Sequence, residues 1–318
     1  MPRKPRIHYP GALYHVIMRG NAGCPIFLND RGWEHFCDLI GQGVERFGHR
    51  IHAFCLMSNH VHLLVQVGEI PLSRIIHNLT LRYTAWLNRR HNRIGHLFHG
   101  RYKALLVDAD NYLLELVRYI HLNPVRAAMT ELPDEYRWSG HRALARGESF
   151  PWLTTDWVLA RFGRNVGTAR KKYAAFVNEA IREGTRKEFG QGTHEGRILG
   201  DDDFAEEVTR SAEDKACEAV ALDDVLSAVC RHYGISEAEM AAPGKARGPS
   251  EARATAAMLV REIPNLSLTA LAERLGREVS ALSRAARLHA AKARLNPSLP
   301  SIVPALTGNK SEMFKCQN

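Results

Sequence analysis

"SNHVHLLVQV", residues 58–67, sets two histidines one residue apart at the head of an apolar run. In an extended strand successive side chains point to opposite faces, so His60, His62, Leu64 and Gln66 share one face. Val61, Leu63, Val65 and Val67 share the other, and that set reads as the core face. Two imidazoles on one strand face can converge on a single divalent ion. They serve equally as packed or exposed histidines, and the stretch alone leaves both readings open.

The neighbouring sequence supplies the rest of a sheet. "RIHAFCLM" (50–57) reads as a partner strand joined at Ser58-Asn59, and "ALYHVIMRG" (12–20) as a strand ending at a Gly-Asn turn. Between them "DRGWEHFCDLIGQGVERFG" (30–48) spaces its apolar residues at three and four, with Asp30 as N-cap and Gly48 as the stop. "PLSRIIHNLTLRYTAWLNRRHN" (71–92) is an amphipathic helix whose basic end suits its C-terminal dipole. "LFHGRYKALLVD" (97–108) predicts a further strand, and "DADNYLLELVRYIHLNPVRAAM" (108–129) a further helix. The order strand-helix-strand-strand-helix-strand-helix is that of a ferredoxin-like, split-βαβ α+β fold with one added helix.

That last helix has an apolar stripe of Leu113, Leu116, Val117 and Ile120. Tyr119, Asn123 and Arg126 fall together on its flank, although Pro124 must distort or end the helix nearby. A phenol, an amide oxygen and a guanidinium on one edge can provide a nucleophile, a third metal ligand and a phosphate contact. The same residues also suit an interfacial tyrosine followed by a helix-ending Asn-Pro.

The 318 residues carry a formal net charge of +9, which directs attention to a polyanion such as nucleic acid. The charge is concentrated: residues 1–126 hold sixteen Lys and Arg against eight Asp and Glu, with twelve of the sixteen histidines. The six cysteines are scattered without a CxxC pair, and Cys37, Cys55, Cys217 and Cys230 read as small buried hydrophobes. No apolar run reaches the ~18–20 residues that span a bilayer, and no h-region follows the basic start. A reduced, cytoplasmic setting without a membrane partner is expected.

Beyond residue 145 the texture turns helical, with an acidic stretch at 200–214 near a boundary and a Pro- and Ser-containing tail over 296–318. The expected division is a catalytic domain over 1–145, a helical connector over 146–215, a helical domain over 216–295, and the tail. "NLSLTALAERLGREVSALSRA" (265–285) places a helix, a turn at Gly276 and a second helix in helix-turn-helix register.

Taken together, "YHVIMRGN", "IF", "SNHVHLL", "GRYKA" and "RYIHLNPVRA" resemble the IS200-type Y1 (HUH) transposases, and within them the REP-associated tyrosine transposases (RAYTs). The resemblance covers about residues 1–145. It implies that His60 and His62 are metal ligands, that Tyr119 is the nucleophile, and that Asn123 stands where the family has a further polar ligand. Arg19, Asn21, Arg101 and Lys103 match basic or polar motif positions and are expected to contact DNA. Arg82, Tyr83 and Asn88 have DNA, core and solvent roles equally open. The family implies a Mg²⁺ or Mn²⁺ cofactor, single-stranded DNA with hairpin (REP-like) elements as substrate, a 5′-phosphotyrosine intermediate, and a bacterial, nucleoid-associated setting, as monomer or homodimer. Residues 252–295 are similar to the C-terminal domain of the initiator DnaA, which implies duplex DNA contact by Arg274, Arg277, Arg284 and Arg287. The competing reading is a non-catalytic, sequence-specific DNA-binding protein or regulator derived from a transposase. A metallohydrolase ranks lower, because the Asp and His cluster it needs is missing.

Overall fold

A computed structural model describes residues 6–295 apart from 185, 218–219, 245 and 264–265. It divides into one unit ending at Ala212 and a second starting at Glu213, within the acidic stretch.

The first unit is built on β1 (Leu13–Arg19), α1 (Asp30–Phe47), β2 (Arg50–Leu56), β3 (His60–Gln66), α2 (Leu72–Arg90) and β4 (Lys103–Val107). The strand order is β2-β3-β1-β4, and each neighbouring pair is antiparallel. β3 thus lies between β1 and β2, which is the split-βαβ arrangement expected. Asn29 rather than Asp30 takes the N-cap position of α1; Asp30 is the first helical residue, where its charge suits the helix dipole. Gly48 ends the helix in the left-handed region at φ 65°, as expected of a C′ glycine.

Two predicted elements are shorter than their patterns. The strand expected over 97–108 is regular only from Lys103, because Gly95 and Gly100 take φ of 101° and 57°, outside any strand. The helix expected over 108–129 is α3 (Ala109–His121), followed after Leu122 by a separate turn, α4 (Asn123–Arg126). Pro124 has no N–H, and its ring would meet the carbonyl one turn back, so the first helix cannot continue through it.

Both faces of the sheet are packed. On one face Val16, Met18, Val61, Leu63 and Val65 meet Phe36 and Ile40 of α1 and Ile75, Ile76 and Tyr83 of α2. On the other face Leu13, Cys55, Leu64, Leu105 and Val107 meet Leu113, Leu116, Val117 and Ile120 of α3. The reading of Val61, Leu63, Val65 and Val67 as the core face is therefore half of the picture: the histidine face is a second core.

Residues 146–212 complete that second core. After the short α5 (His141–Arg146) and α6 (Asp156–Ala160) come α7 (Val166–Glu179), α8 (Glu188–Gln191) and β5 (Ile198–Leu199), which pairs parallel with β4. Val158, Tyr173, Val177, Phe189 and Leu199 join the α3 cluster. The stretch read as a connector over 146–215 is thus part of the first unit as far as Ala212, in α9 (Asp202–Cys217).

The second unit packs α10 (Leu222–Tyr233), α11 (Glu237–Ala241), α12 (Arg247–Glu262), α13 (Leu268–Leu275) and α14 (Val279–Leu295) around Val225, Val229, Ala256, Leu271 and Leu282. Ser267 caps α13 by accepting from the Ala270 N–H, and Gly276 turns the chain at φ 59° into α14. Cys37 and Cys55 are buried and Cys230 is half-buried. The Cys217 side chain and the tail over 296–318 lie outside the described residues. No described helix is long and apolar enough to cross a membrane.

Candidate active site

The site lies between β3, β1 and α3. Because β3 pairs with β1 with Ile17 opposite His62 and His15 opposite Leu64, His15 and His62 are diagonal neighbours on the α3 face. Asp108 starts α3 by accepting from the Asp110 and Asn111 N–H groups. Near its other end the His121 Nδ1 lies 2.6 Å from the Tyr173 hydroxyl of α7, which is also 3.2 Å from the His141 Nδ1. The helix is thereby fixed at both ends, and Tyr119 is held against the histidines.

The Tyr119 ring centroid lies 6.0 Å from that of His62 and 6.2 Å from that of His15, edge-on to both. The His60 and His62 rings are 5.1 Å apart. Arg126 places its Cζ 5.0 Å over the Tyr119 ring and donates to the Tyr119 carbonyl at 3.0 Å. Asn123 donates through Nδ2 to the Tyr119 carbonyl at 2.8 Å and the Ile120 carbonyl at 3.3 Å. The amide thus closes the end of α3, and Oδ1 is the atom it has left for a cation.

The electrostatics follow from burial. His62 is held well below the usual imidazole range by desolvation, with the His15 and His60 rings adding to the effect. Burial and the Arg19 charge lower His60, and burial takes His15 to about 4. All three are neutral at pH 7, the state in which imidazole can ligate a metal. Burial also raises the Tyr119 phenol, with Arg126 opposing and Glu188 adding to the rise.

His60 Nδ1 lies 2.8 Å from the Asn59 Oδ1, whose own Nδ2 donates to the Gly23 carbonyl. Asn59 therefore accepts from His60 Nδ1–H, and the His60 lone pair is at Nε2. Among the described residues no group of three or more His, Cys, Asp or Glu side chains is arranged to hold a metal ion. Two neutral imidazoles side by side are a donor pair of the kind that suits a divalent ion, the remaining ligands coming from other groups or water.

Residues 9–123 match the family model "Transposase IS200 like". These residues form an IS200-like transposase domain. Residues 222–288 match the model for the bacterial DnaA helix-turn-helix, so the second unit carries that module. The chain is 25% identical over 150 residues to a putative REP-associated tyrosine transposase of Haemophilus influenzae, covering 42% of this chain and 84% of that protein. It is also similar, at 16% identity and a TM-score of 0.41, to a REP-associated tyrosine transposase solved with a REP hairpin, over 48% of this chain and 92% of that one.

Within the IS200-like domain, Arg19 ends β1 opposite His60, and the exposed Lys103 starts β4 with its charge acting on His15. Asn21 and Arg101 are exposed at the same end of the sheet, where the Asn21 N–H donates to the Leu97 carbonyl. Arg82 is elsewhere, bonded at 2.5 Å to Gln42 of α1 on the opposite face of the sheet. Tyr83 is core and donates to the Ile26 carbonyl, and Asn88 donates to the Gly95 carbonyl. In the second unit Arg274 pairs with Glu237 at 2.5 Å and with Asp223, and Arg277 donates to the Ala241 and Ala242 carbonyls. Arg284 and Arg287 are exposed on α14. Sequence reasoning missed His15 and Phe189. The signal for His15 was an imidazole in an apolar strand, but only the strand register brings it to His62.

Proposed function

We propose that the protein is a metal-dependent DNA strand transferase that cuts and rejoins single strands through Tyr119. The observation that carries this reading is the meeting of Tyr119 with His62, ring centroids 6.0 Å apart, on one face of an IS200-like domain. Tyr119 Oη attacks phosphorus and the bond from phosphorus to the 3′ oxygen breaks. The phenol gives up its proton and the departing oxygen takes one up, leaving a 5′-phosphotyrosine and a 3′-hydroxyl. Burial keeps the phenol protonated at rest, so proton removal accompanies attack. The covalent link conserves the phosphodiester energy, and a 3′-hydroxyl can reverse the step without ATP. His60, His62 and Asn123 Oδ1 would hold a Mg²⁺ or Mn²⁺, which supplies charge neutralisation at a non-bridging phosphate oxygen.

Arg19, Asn21, Arg101 and Lys103 form the basic border along which single-stranded DNA would run, and Arg126 beside Tyr119 would meet a phosphate. The substrate is single-stranded DNA beside a hairpin of REP type, in keeping with the name of the Haemophilus relative. α14, with Arg284 and Arg287, would contact duplex DNA. The test is incubation of the full chain with 5′- and 3′-labelled hairpin oligonucleotides and Mg²⁺ or Mn²⁺. An SDS-stable adduct carrying the fragment 3′ of the nick is expected, and none from Tyr119→Phe. Identical products from both proteins would remove Tyr119 as nucleophile. DNA binding without any adduct would favour the regulator instead.

A further inference from the structure

The proposed chemistry uses His60, His62, Tyr119 and Asn123 and leaves His15 without a role. We infer that His15 is a positioning residue: anchored by the Phe189 carbonyl, it fixes the His62 ring in the tautomer that leaves Nε2 free to bind a cation. The inference rests on the reading of His62 as a ligand and extends it to His15 of β1 and Phe189 of α8.

Hydrogen-bond roles and burial together fix the two tautomers. His15 Nδ1 lies 2.9 Å from the Phe189 carbonyl oxygen, and His15 Nε2 lies 2.9 Å from His62 Nδ1. A carbonyl can only accept, so the His15 proton is on Nδ1. A neutral imidazole has one such proton, so His15 Nε2 is an acceptor and His62 Nδ1 must be the donor. The lone pair of His62 is thereby confined to Nε2. Both rings are enclosed, at 0% and 4% exposure, which opposes a charged ring in either place. The rings lie 19° from parallel with centroids 5.1 Å apart, so rotation of either one would break the chain. Carbonyl to imidazole to ligating imidazole is the pattern by which outer partners orient metal ligands and raise their basicity.

The carbonyl is available because α8 ends where it does. In a longer helix the Thr193 N–H would take the Phe189 oxygen; here it donates to the Ile198 carbonyl instead. Gly192 makes that exit at φ 81°, and a Cβ there would stand 2.7 Å from the Ile198 oxygen and 3.1 Å from Leu105. The Phe189 ring packs on Tyr119 with centroids 5.0 Å apart. One residue outside the 9–123 family match therefore touches the nucleophile with its ring and the histidine chain with its backbone.

The test begins on the metal-free full-length protein with long-range ¹H–¹⁵N correlation of the histidine rings. Both His15 and His62 are expected as Nδ1–H tautomers; a His62 proton on Nε2 overturns the inference without any variant being needed. Calorimetry with Mn²⁺ then compares wild type, His15→Phe and His15→Gln, each checked for an unchanged melting transition. His15→Phe is expected to weaken Mn²⁺ binding ~10–100-fold, the usual effect of losing such a partner. His15→Gln, which can donate to the carbonyl and accept from His62, is expected to recover most of it. Equal affinity in a folded His15→Phe protein overturns the inference. The expected tautomers in a wild type that binds no Mn²⁺ would sustain the positioning by His15 and sink the metal-dependent reading instead. Mn²⁺ binding and relay as expected, with no Tyr119 adduct, would sink only the strand-transfer reading.

Discussion

The two units place their polar chemistry in opposite locations. The first buries His15, His49, His52, His62, His121 and His141 within its core. The second has only Arg253 and Thr255 as buried polar side chains among its described residues. Arg253 is occupied there by the Met240 and Gly244 carbonyls, which shape the turn before α12. A site assembled inside a fold depends on strand register and on every element that encloses it. A surface carried on one helix depends on little beyond that helix. The first arrangement is suited to holding atoms in fixed geometry, and the second to tracking a polyanion.

The largest expected effect separates the two directly. Tyr119→Phe removes one hydroxyl from the interior site and should abolish the covalent adduct. Duplex affinity and its salt slope should be unchanged, because no charge has been removed. A fall in duplex affinity in this variant would mean that the interior site and the duplex-binding surface are not separable.

Acid should unfold the first unit selectively. Burial lowers His15, His49 and His141 to about 4 in the fold, against about 6.5 for a free imidazole. Between these values the unfolded chain binds protons that the folded one refuses. Stability is therefore full above pH 6.5, declines as pH falls toward 4, and loses nothing further through these groups below that. Each contributes a slope approaching about 1.4 kcal/mol per pH unit at mid-range. All five tryptophans, at 33, 86, 138, 152 and 157, lie in the first unit, so their fluorescence reports that unit alone. Their transition should move to lower temperature between pH 6.5 and 4, ahead of any helical signal from the second unit. Coincident transitions would contradict the contrast.

The same contrast explains what the sequence could reveal. Period-two alternation in 58–67 and the spacing of 30–48 are local properties, and they identified the strands and helices with the core residues of α1, α2 and β3. Tyr119 and the HxH pair could be singled out because each belongs to a short contiguous motif on one element. His15 was not, since its role exists only once β1 is paired with β3 in a specific register. Phe189 was further out of reach: it acts through a backbone carbonyl, which no residue type announces, from 174 positions away. The occupied state of Arg274 was hidden for the same reason, because Glu237 lies 37 positions from it.

The smallest effects are expected on the second unit, and they discriminate among its arginines. Arg284 and Arg287 are exposed on α14, so replacing both with Ala should weaken duplex binding and lower its salt slope by about 0.9 for each phosphate no longer neutralised. Arg274→Ala should leave the slope unchanged, since its guanidinium is held by Glu237 and Asp223. Its consequence should be a modest drop in the melting temperature of the second unit, as befits a surface ion pair. Should Arg274→Ala lower the slope as much as the Arg284 and Arg287 changes do, DNA must compete Glu237 away. The ion pair would then be a feature of the free protein alone, and the duplex-binding face would extend from α14 across α13.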